Sequence, residues 1–545
     1  MIHLSGEPEV SADLAGALEA WRKVVGPENV GTDAPRLAAA ETATFATSQR
    51  VLAVVAPGNR HEVQRCVQIA NSHQVAIYPV SQGKNWGYGS RVPTGDGSVV
   101  LDLGRLNRIV EWDERLAYVT LEPGVTMRQL HAFLAERGSN LMMSVTGAHP
   151  ESSLIGNIVE RGIGQGPYAD RFSHVCALEV VLPTGECIHT GFDRFAGCPS
   201  APVARWGVGP SLDGLFSQSN LGIVTRMTLW LLPRPRHFQV LLGGLHDDAR
   251  LGPLVDACRE LRLEGTLRGP AIIFNDFKAL GMMRQYPWDE TGGATPLAPE
   301  ICGRLVRGRR ATRWNVLAPF YAASGAQARA DRRRVRRVLR GRLDRMVFLD
   351  RTFVQIARLA SKPFRWLTGI DVNPYLDSIY TKSVFLGHPS AAAMVSVFWR
   401  KRQPTPPADA IDPDRDRCGV LLCAPAIPFS GEHAVAAVAL VERVALAYGF
   451  EPSINLSCLT DRMIDFVVFL VFDRDVAGED QRARACHDEM LRRLSEAGYL
   501  PYRLGLQSMG QLPPARDDTG ALYRALKTAL DPNGVLAPGR YEFFE

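Results

Sequence analysis

No apolar run in the 545-residue sequence is long enough to cross a bilayer; the longest, such as Phe466–Phe472 (FVVFLVF), are the size of a strand. The opening MIHLSGEPEV has neither the basic start nor the apolar stretch of a secretory signal, so a cytoplasmic protein is expected. Cysteine is sparse: ten residues, none in a CxxC pair. The five-residue step from Cys418 to Cys423 suits neither zinc nor a redox pair, so neither a metal site nor a disulfide framework is expected. No internal repeat of fixed period is visible, and both familiar phosphate loops, GxGxxG and GxxxxGK followed by Ser or Thr, are missing where glycines cluster. A net positive balance is also missing outside one place. Arg329–Arg345 holds nine arginines and two aspartates, a balance of +7, which leaves −2 for the rest of a chain whose net charge is +5. That excludes a nucleic-acid surface spread over the fold.

In that basic segment Val335, Val338, Leu339 and Leu343 recur every three or four residues, the pattern of an amphipathic helix. Its charged side reads first as a solvated face, then as a docking surface for an acidic protein or membrane, and last as a nucleic-acid contact. A hydrophobic content of 46% with 22% charged residues is that of a soluble globular protein, and the length calls for two or three domains. Val51–Ala56, His61–His73 and Val75–Val80 read as strand, helix and strand. A further helix is expected from about Thr126, and a boundary near Arg236 after a Pro-Arg-Pro segment.

Two glycine-rich stretches remain. YPVSQGKNWGYGS (Tyr78–Ser90) places Gly83, Gly87 and Gly89 after a strand, and a second set comprises Gly147, Gly156, Gly162, Gly164 and Gly166. Glycines after a strand let main-chain N–H groups approach anionic oxygens without interference from Cβ. Two such loops suit a long ligand containing a pyrophosphate; tight turns made for packing are the alternative.

YPVSQGKNWGYGS, VVLDLGRLNRI, LEPGVTMRQLHAFL, GNIVERGIGQGPYADRF, LEVVLPTGE, GVGPSLDGLFSQSNLGIVTRMTLWLLPRP, YRLGLQSMGQL and DPNGVLAPGR together resemble the vanillyl-alcohol oxidase/4-cresol methylhydroxylase family of FAD-binding flavoproteins. The resemblance spans essentially the whole chain, strongly over residues 50–236 and 498–541. It implies an α+β protein: a two-part FAD-binding domain (1–236, completed by 498–545) and a cap domain (237–497) of antiparallel sheet flanked by helices. It implies FAD held by Pro79, Ser81, Gly83, Lys84, Asn85, Gly87 and Tyr88, by Gly147, Gly156, Asn157, Gly162 and Gly164, by Gly222 and Ile223, and by Arg540, a cation near the flavin ring.

In phenol-oxidising members a tyrosine of the GYG motif and a Tyr-Arg pair bind the phenol oxygen, and Tyr88, Tyr502 and Arg503 stand at those positions. By resemblance the reaction moves a hydride from the carbon para to the phenol onto FAD and leaves a quinone methide. Electrons then pass to O2 or to an electron-transfer protein, in a homo-oligomer. Other family features are absent. Val420 stands at the position of the tethering histidine, so FAD is expected to bind non-covalently. Ile464 and Asp465 replace two usual histidines, and Ala148 replaces an aspartate near the flavin. Candidate bases are then Asp465, Asp461, His149 and Glu151. Asp465 ranks low among them, because an alternating strand turns it away from the side of Ile464. Two other readings stay open: the same FAD acting on a non-phenolic hydroxy or amine substrate, and a flavin-binding protein without catalysis.

Overall fold

A computed structural model describes residues 13–308, 312–368 and 371–543. The first twelve residues, on which the reading of the N-terminus rests, lie outside it. Among the described residues no helix is long and apolar enough to cross a membrane.

The chain begins with a four-stranded sheet in the spatial order Val30–Gly31, Val51–Val55, Ser98–Asp102, Ile77–Val80, the last three strands parallel. The helix Arg60–His73 crosses over between two of them. Asn59 caps it by accepting from the Glu62 amide, and Val63, Cys66, Val67 and Ala70 turn inward at helical spacing. The sheet's outgoing edge therefore ends at Val80, where the glycine loop begins.

A five-stranded antiparallel sheet follows, in the order Ile109–Asp113, Tyr118–Leu121, Ile223–Trp230, Val175–Val181, Cys187–His189. The helix Met127–Glu136, capped by Thr126, packs its Leu130 and Leu134 into this sheet's core. From His237 to Asp473 the architecture changes to one eight-stranded antiparallel sheet, ordered Arg345–Leu349, His237–Leu245, Trp314–Ala322, Ile272–Asn275, Ser453–Ser457, Met463–Asp473, Cys418–Cys423, with Ala426–Pro428 also paired to Met463–Asp473. The α+β class and the flanked antiparallel cap sheet both stand.

The arginine-rich segment is the helix Gly325–Val338 and its exit. Val335, Val338, Leu339 and Leu343 are all buried in the large cap core. On the outer side Arg334 pairs with Glu260 and Glu264, and Arg332 with Asp350. Three acids from other elements thus offset part of the local +7.

Beyond residue 498 the chain returns to both parts. Pro501 bridges Pro425, the Tyr502 amide donates to Ala424 O (3.0 Å), and Ala426 N donates to Leu500 O (2.9 Å). Further on, Leu536 bridges Ile77, beside the strand that feeds the glycine loop.

Candidate active site

A cleft of about 1010 Å³, counting its open mouth, runs between the first sheet's exit loop and the segment around residue 156. Pro79, Ser81, Gly83, Lys84 and Asn85 line one side, Gly156 and Asn157 another, and Gly222, Ile223 and Arg540 the remainder. Gly87, Tyr88, Gly147, Gly162 and Gly164 are not part of this lining.

Gly83 adopts φ +66, so the strand can turn sharply into the loop. Among the described residues the amides of Ser81 through Asn85 donate to no protein acceptor. A row of free N–H groups facing a cleft suits phosphate oxygens. Asn157 Oδ1 is buried without a partner at the same cleft. Gly156 lets the walls close up, since a Cβ there would lie 2.4 Å from Ser81 Oγ. These donors and this open space fit the phosphate-bearing part of FAD.

Several expected glycine contacts serve the protein itself. The Gly87 amide donates to Thr44 Oγ1 (3.0 Å), and its carbonyl accepts from the Leu422 amide (3.2 Å) and Gln507 Nε2 (3.1 Å). The Gly162 amide bonds Asn157 O (2.8 Å) and the Gly164 amide bonds Ala169 O (2.8 Å). These three N–H groups are already taken and are not free for a phosphate, a correction to the spacing argument. Gly162 and Gly164 instead make room for side chains: a Cβ would strike Asn157 at the first and Ser144 and Arg171 at the second. At Gly147 a Cβ would meet nothing within 4 Å.

At the cleft's inner end Arg503 meets Asn85 Oδ1 (2.5 Å) and lies with its guanidinium carbon 4.4 Å from the Tyr88 ring centre. Tyr88 and Tyr502 lie near enough for each to shift the other's acidity. The return strand explains the meeting: the Leu506 amide donates to Tyr88 O (2.8 Å), and Tyr502 hangs from Ala424. Burial pushes both tyrosines up, so each remains a neutral O–H donor at neutral pH; Arg503 opposes the shift and Asp465 reinforces it.

Asp465 completes the group. It lies on Met463–Asp473 opposite Ala426, the residue next to Pro425 of the Pro425–Pro501 bridge. The alternation of the strand holds, but it is Ile464 that turns into the cap core and Asp465 that faces the tyrosines. Asp465 is 0% exposed, and neither carboxylate oxygen has a partner. Burial holds its pKa well above the usual carboxylate range, with Arg503 pulling the other way.

The other candidate bases lie elsewhere. His149 packs edge-on against Trp86 (5.9 Å between centres) and contacts Asp409 O, Glu151 pairs with Arg128, and Asp461 is an exposed neighbour of Arg462. Val420 is a buried strand residue.

Glu160 was not singled out in the sequence. It accepts from Arg540 and from Tyr541 Oη (3.0 Å), and lies 3.7 Å from Arg503 Nε. Burial raises its pKa, but the two arginines outweigh burial and hold it below the ordinary value. One buried carboxylate thus joins the arginine at the cleft wall to the arginine of the tyrosine group. The GNIVERG stretch carried this residue, but its partners, hundreds of positions away, gave it no local signal.

An FAD binding domain family model matches residues 51–191. Over 530 residues the chain is 49% identical to the 1'-carboxy-chondrochloren decarboxylase of Chondromyces crocatus, covering 97% of each. The chain belongs to the vanillyl-alcohol oxidase/4-cresol methylhydroxylase family. It is 28% identical to the 4-cresol dehydrogenase (hydroxylating) flavoprotein subunit of Pseudomonas putida over 96% of this chain and 94% of that one. A 4-ethylphenol oxidase from Gulosibacter chungangensis, solved with isoeugenol, superposes with a TM-score of 0.88 at 26% identity over 98% of both chains. The protein is an FAD-dependent oxidoreductase of this family, and the cleft at Ser81–Asn85 is where the residues present suit that cofactor.

Proposed function

We propose that the protein takes a hydride from the carbon para to a phenolic hydroxyl, and that its substrate then loses CO2 from the neighbouring carbon to give an alkenyl phenol. Residues 1–236 with 498–545 hold the cofactor in this reading, and 237–497 cap the substrate. Bound FAD supplies the two-electron acceptor, which O2 or an electron-transfer protein reoxidises.

The observation that carries the reading is the cluster of Tyr88, Tyr502 and Arg503, with the buried, unpartnered acid Asp465 near enough to raise the pKa of both tyrosines. A free phenol has a pKa near 10 and is mostly neutral at pH 7. Two neutral hydroxyl donors and a guanidinium favour its anion, and Asp465 takes the proton from the phenolic oxygen. Loss of that proton and of the benzylic hydride leaves a quinone methide. Where the adjacent carbon bears a carboxylate, the C–CO2 bond breaks and its electron pair forms the new C=C bond. The ring regains aromaticity, CO2 departs, and the proton on Asp465 returns to the phenolate oxygen. The substrate has then lost one hydride and one CO2, and atoms and charge balance. The decarboxylase name of the 49% identical relative favours this fate over capture by water.

The test is anaerobic mixing of FAD-loaded protein with 3-(4-hydroxyphenyl)propanoate and 4-alkylphenols. Bleaching of the flavin with equal amounts of 4-vinylphenol and CO2 from the acid is expected. Hydroxylated products without CO2 would keep the phenol oxidation and discard the decarboxylation. If no para-alkylated phenol bleaches the flavin, the phenol reading fails, and a non-phenolic substrate takes its place.

A further inference from the structure

A second guanidinium lies beside the tyrosine group, and the reaction above makes no use of it. Arg171 opens the short turn Arg171–His174 that follows the Gly162–Gly166 loop, and it is 1% exposed. Its Nε donates to Gly162 O at 3.2 Å and its Nη1 to Ser144 O at 3.4 Å, both long contacts to neutral carbonyls. Its Nη2 has no partner. No carboxylate pairs with it among the described residues. The carboxylate of Asp170, adjacent in sequence, is spent on the amide and hydroxyl of Ser173. Gln165, in the same loop, has a buried Oε1 that is also unpartnered. Gly164 gives the arginine its seat, since a Cβ there would lie 3.1 Å from Arg171 Cγ and Cδ.

A buried cation without a counter-ion is costly, and an isolated one sheds its charge or awaits an anion. Burial pulls Arg171 down to about 9, with Arg503 adding to the fall and Tyr502 opposing it. The guanidinium therefore still carries its charge at neutral pH, and its anchor Gly162 lies two residues from Glu160, which is 3.7 Å from Arg503 Nε. Every other arginine of this site already has its acid: Arg503 and Arg540 share Glu160. A planar fork with a free donor and no acid of its own matches the geometry of a carboxylate.

We propose that Arg171 is the receptor for the substrate's carboxylate. Tyr88, Tyr502 and Arg503 take the phenol end of the molecule, and Arg171 takes the acid end. The assignment rests on the proposed phenolic substrate and narrows it to para-hydroxyphenyl acids.

The test uses two fragments titrated into FAD-loaded protein, each followed by the flavin difference spectrum and by calorimetry. One is 3-phenylpropanoate, a carboxylate without the phenol; the other is 4-propylphenol, a phenol without the carboxylate. The wild type is expected to bind both. In Arg171→Gln the affinity for 3-phenylpropanoate should fall by about 10- to 100-fold, the worth of one charge-assisted contact, and by at least about 10-fold more than that for 4-propylphenol. Arg171→Lys, which keeps the charge without the fork, should recover part of the loss. FAD content and melting temperature are measured alongside. A parallel fall for both fragments, or a loss of FAD that explains the whole effect, would assign Arg171 a structural role and overturn the proposal. Wild-type protein that binds the phenol but not the carboxylate also overturns it, and leaves the phenol reading intact. Binding of the carboxylate alone, lost in Arg171→Gln, removes the phenol reading and keeps Arg171.

Discussion

At the residue scale Asp465 sets two opposing demands. Its pKa lies above the ordinary value of 3.8 in the folded protein, so the fold binds its proton more tightly than the unfolded chain does. Stability is therefore lost as pH rises from about 3.8 through the raised value. Asp465→Asn removes this loss, and melting curves at pH 8 should show the variant more stable by about 1–3 kcal/mol. The same substitution should abolish phenol-dependent flavin reduction, whose wild-type rate rises with pH as Asp465 ionises. A variant that keeps its rate and its pH profile would remove Asp465 from the chemistry. The trio of Tyr88, Tyr502 and Arg503 was legible because its members sit in recognisable stretches. Arg171 and Glu160 were not, since each is defined by what surrounds it: one by the absence of an acid, the other by two arginines at positions 503 and 540.

Among elements, the strand–helix–strand from Val51 to Val80 was readable because apolar period and an asparagine cap agree there. The glycine loops were readable only in part. Spacing shows where a backbone bends, yet not whether its N–H groups face a ligand or a neighbouring carbonyl, and Gly87, Gly162 and Gly164 fall on the second side. The wall between Ser81 and the helix Leu154–Val159 is the opposite case, where the missing Cβ matters directly. Gly156→Ala should weaken FAD binding by about 10-fold or more, with the far-ultraviolet circular dichroism unchanged, because a small shift of Ser81 disturbs the free amides beside it. Cofactor retained at wild-type affinity would show that the loop yields without harm.

On the scale of the whole molecule, the chain leaves the first sheets at His237, builds the cap, and comes back. The returning segment places Tyr502 and Arg503 under the cap, and Arg540 at the cleft beside Tyr78. Asp531 holds that return by accepting from Lys527 Nζ (2.6 Å) and from the Val535 and Leu536 amides (3.0 and 2.9 Å). A chain ending at Leu530 should fold its sheets but carry no FAD through gel filtration; a yellow truncated protein would show that the return is dispensable for holding it. The cap also grips the glycine loop from outside. Trp86 Nε1 and Ser90 Oγ donate to Asp414 (3.0 and 2.8 Å), and Lys84 Nζ lies 3.7 Å from Asp412. These three contacts hold the loop whose residues 83–85 line the cleft, so a change that loosens them should shorten the stay of bound FAD.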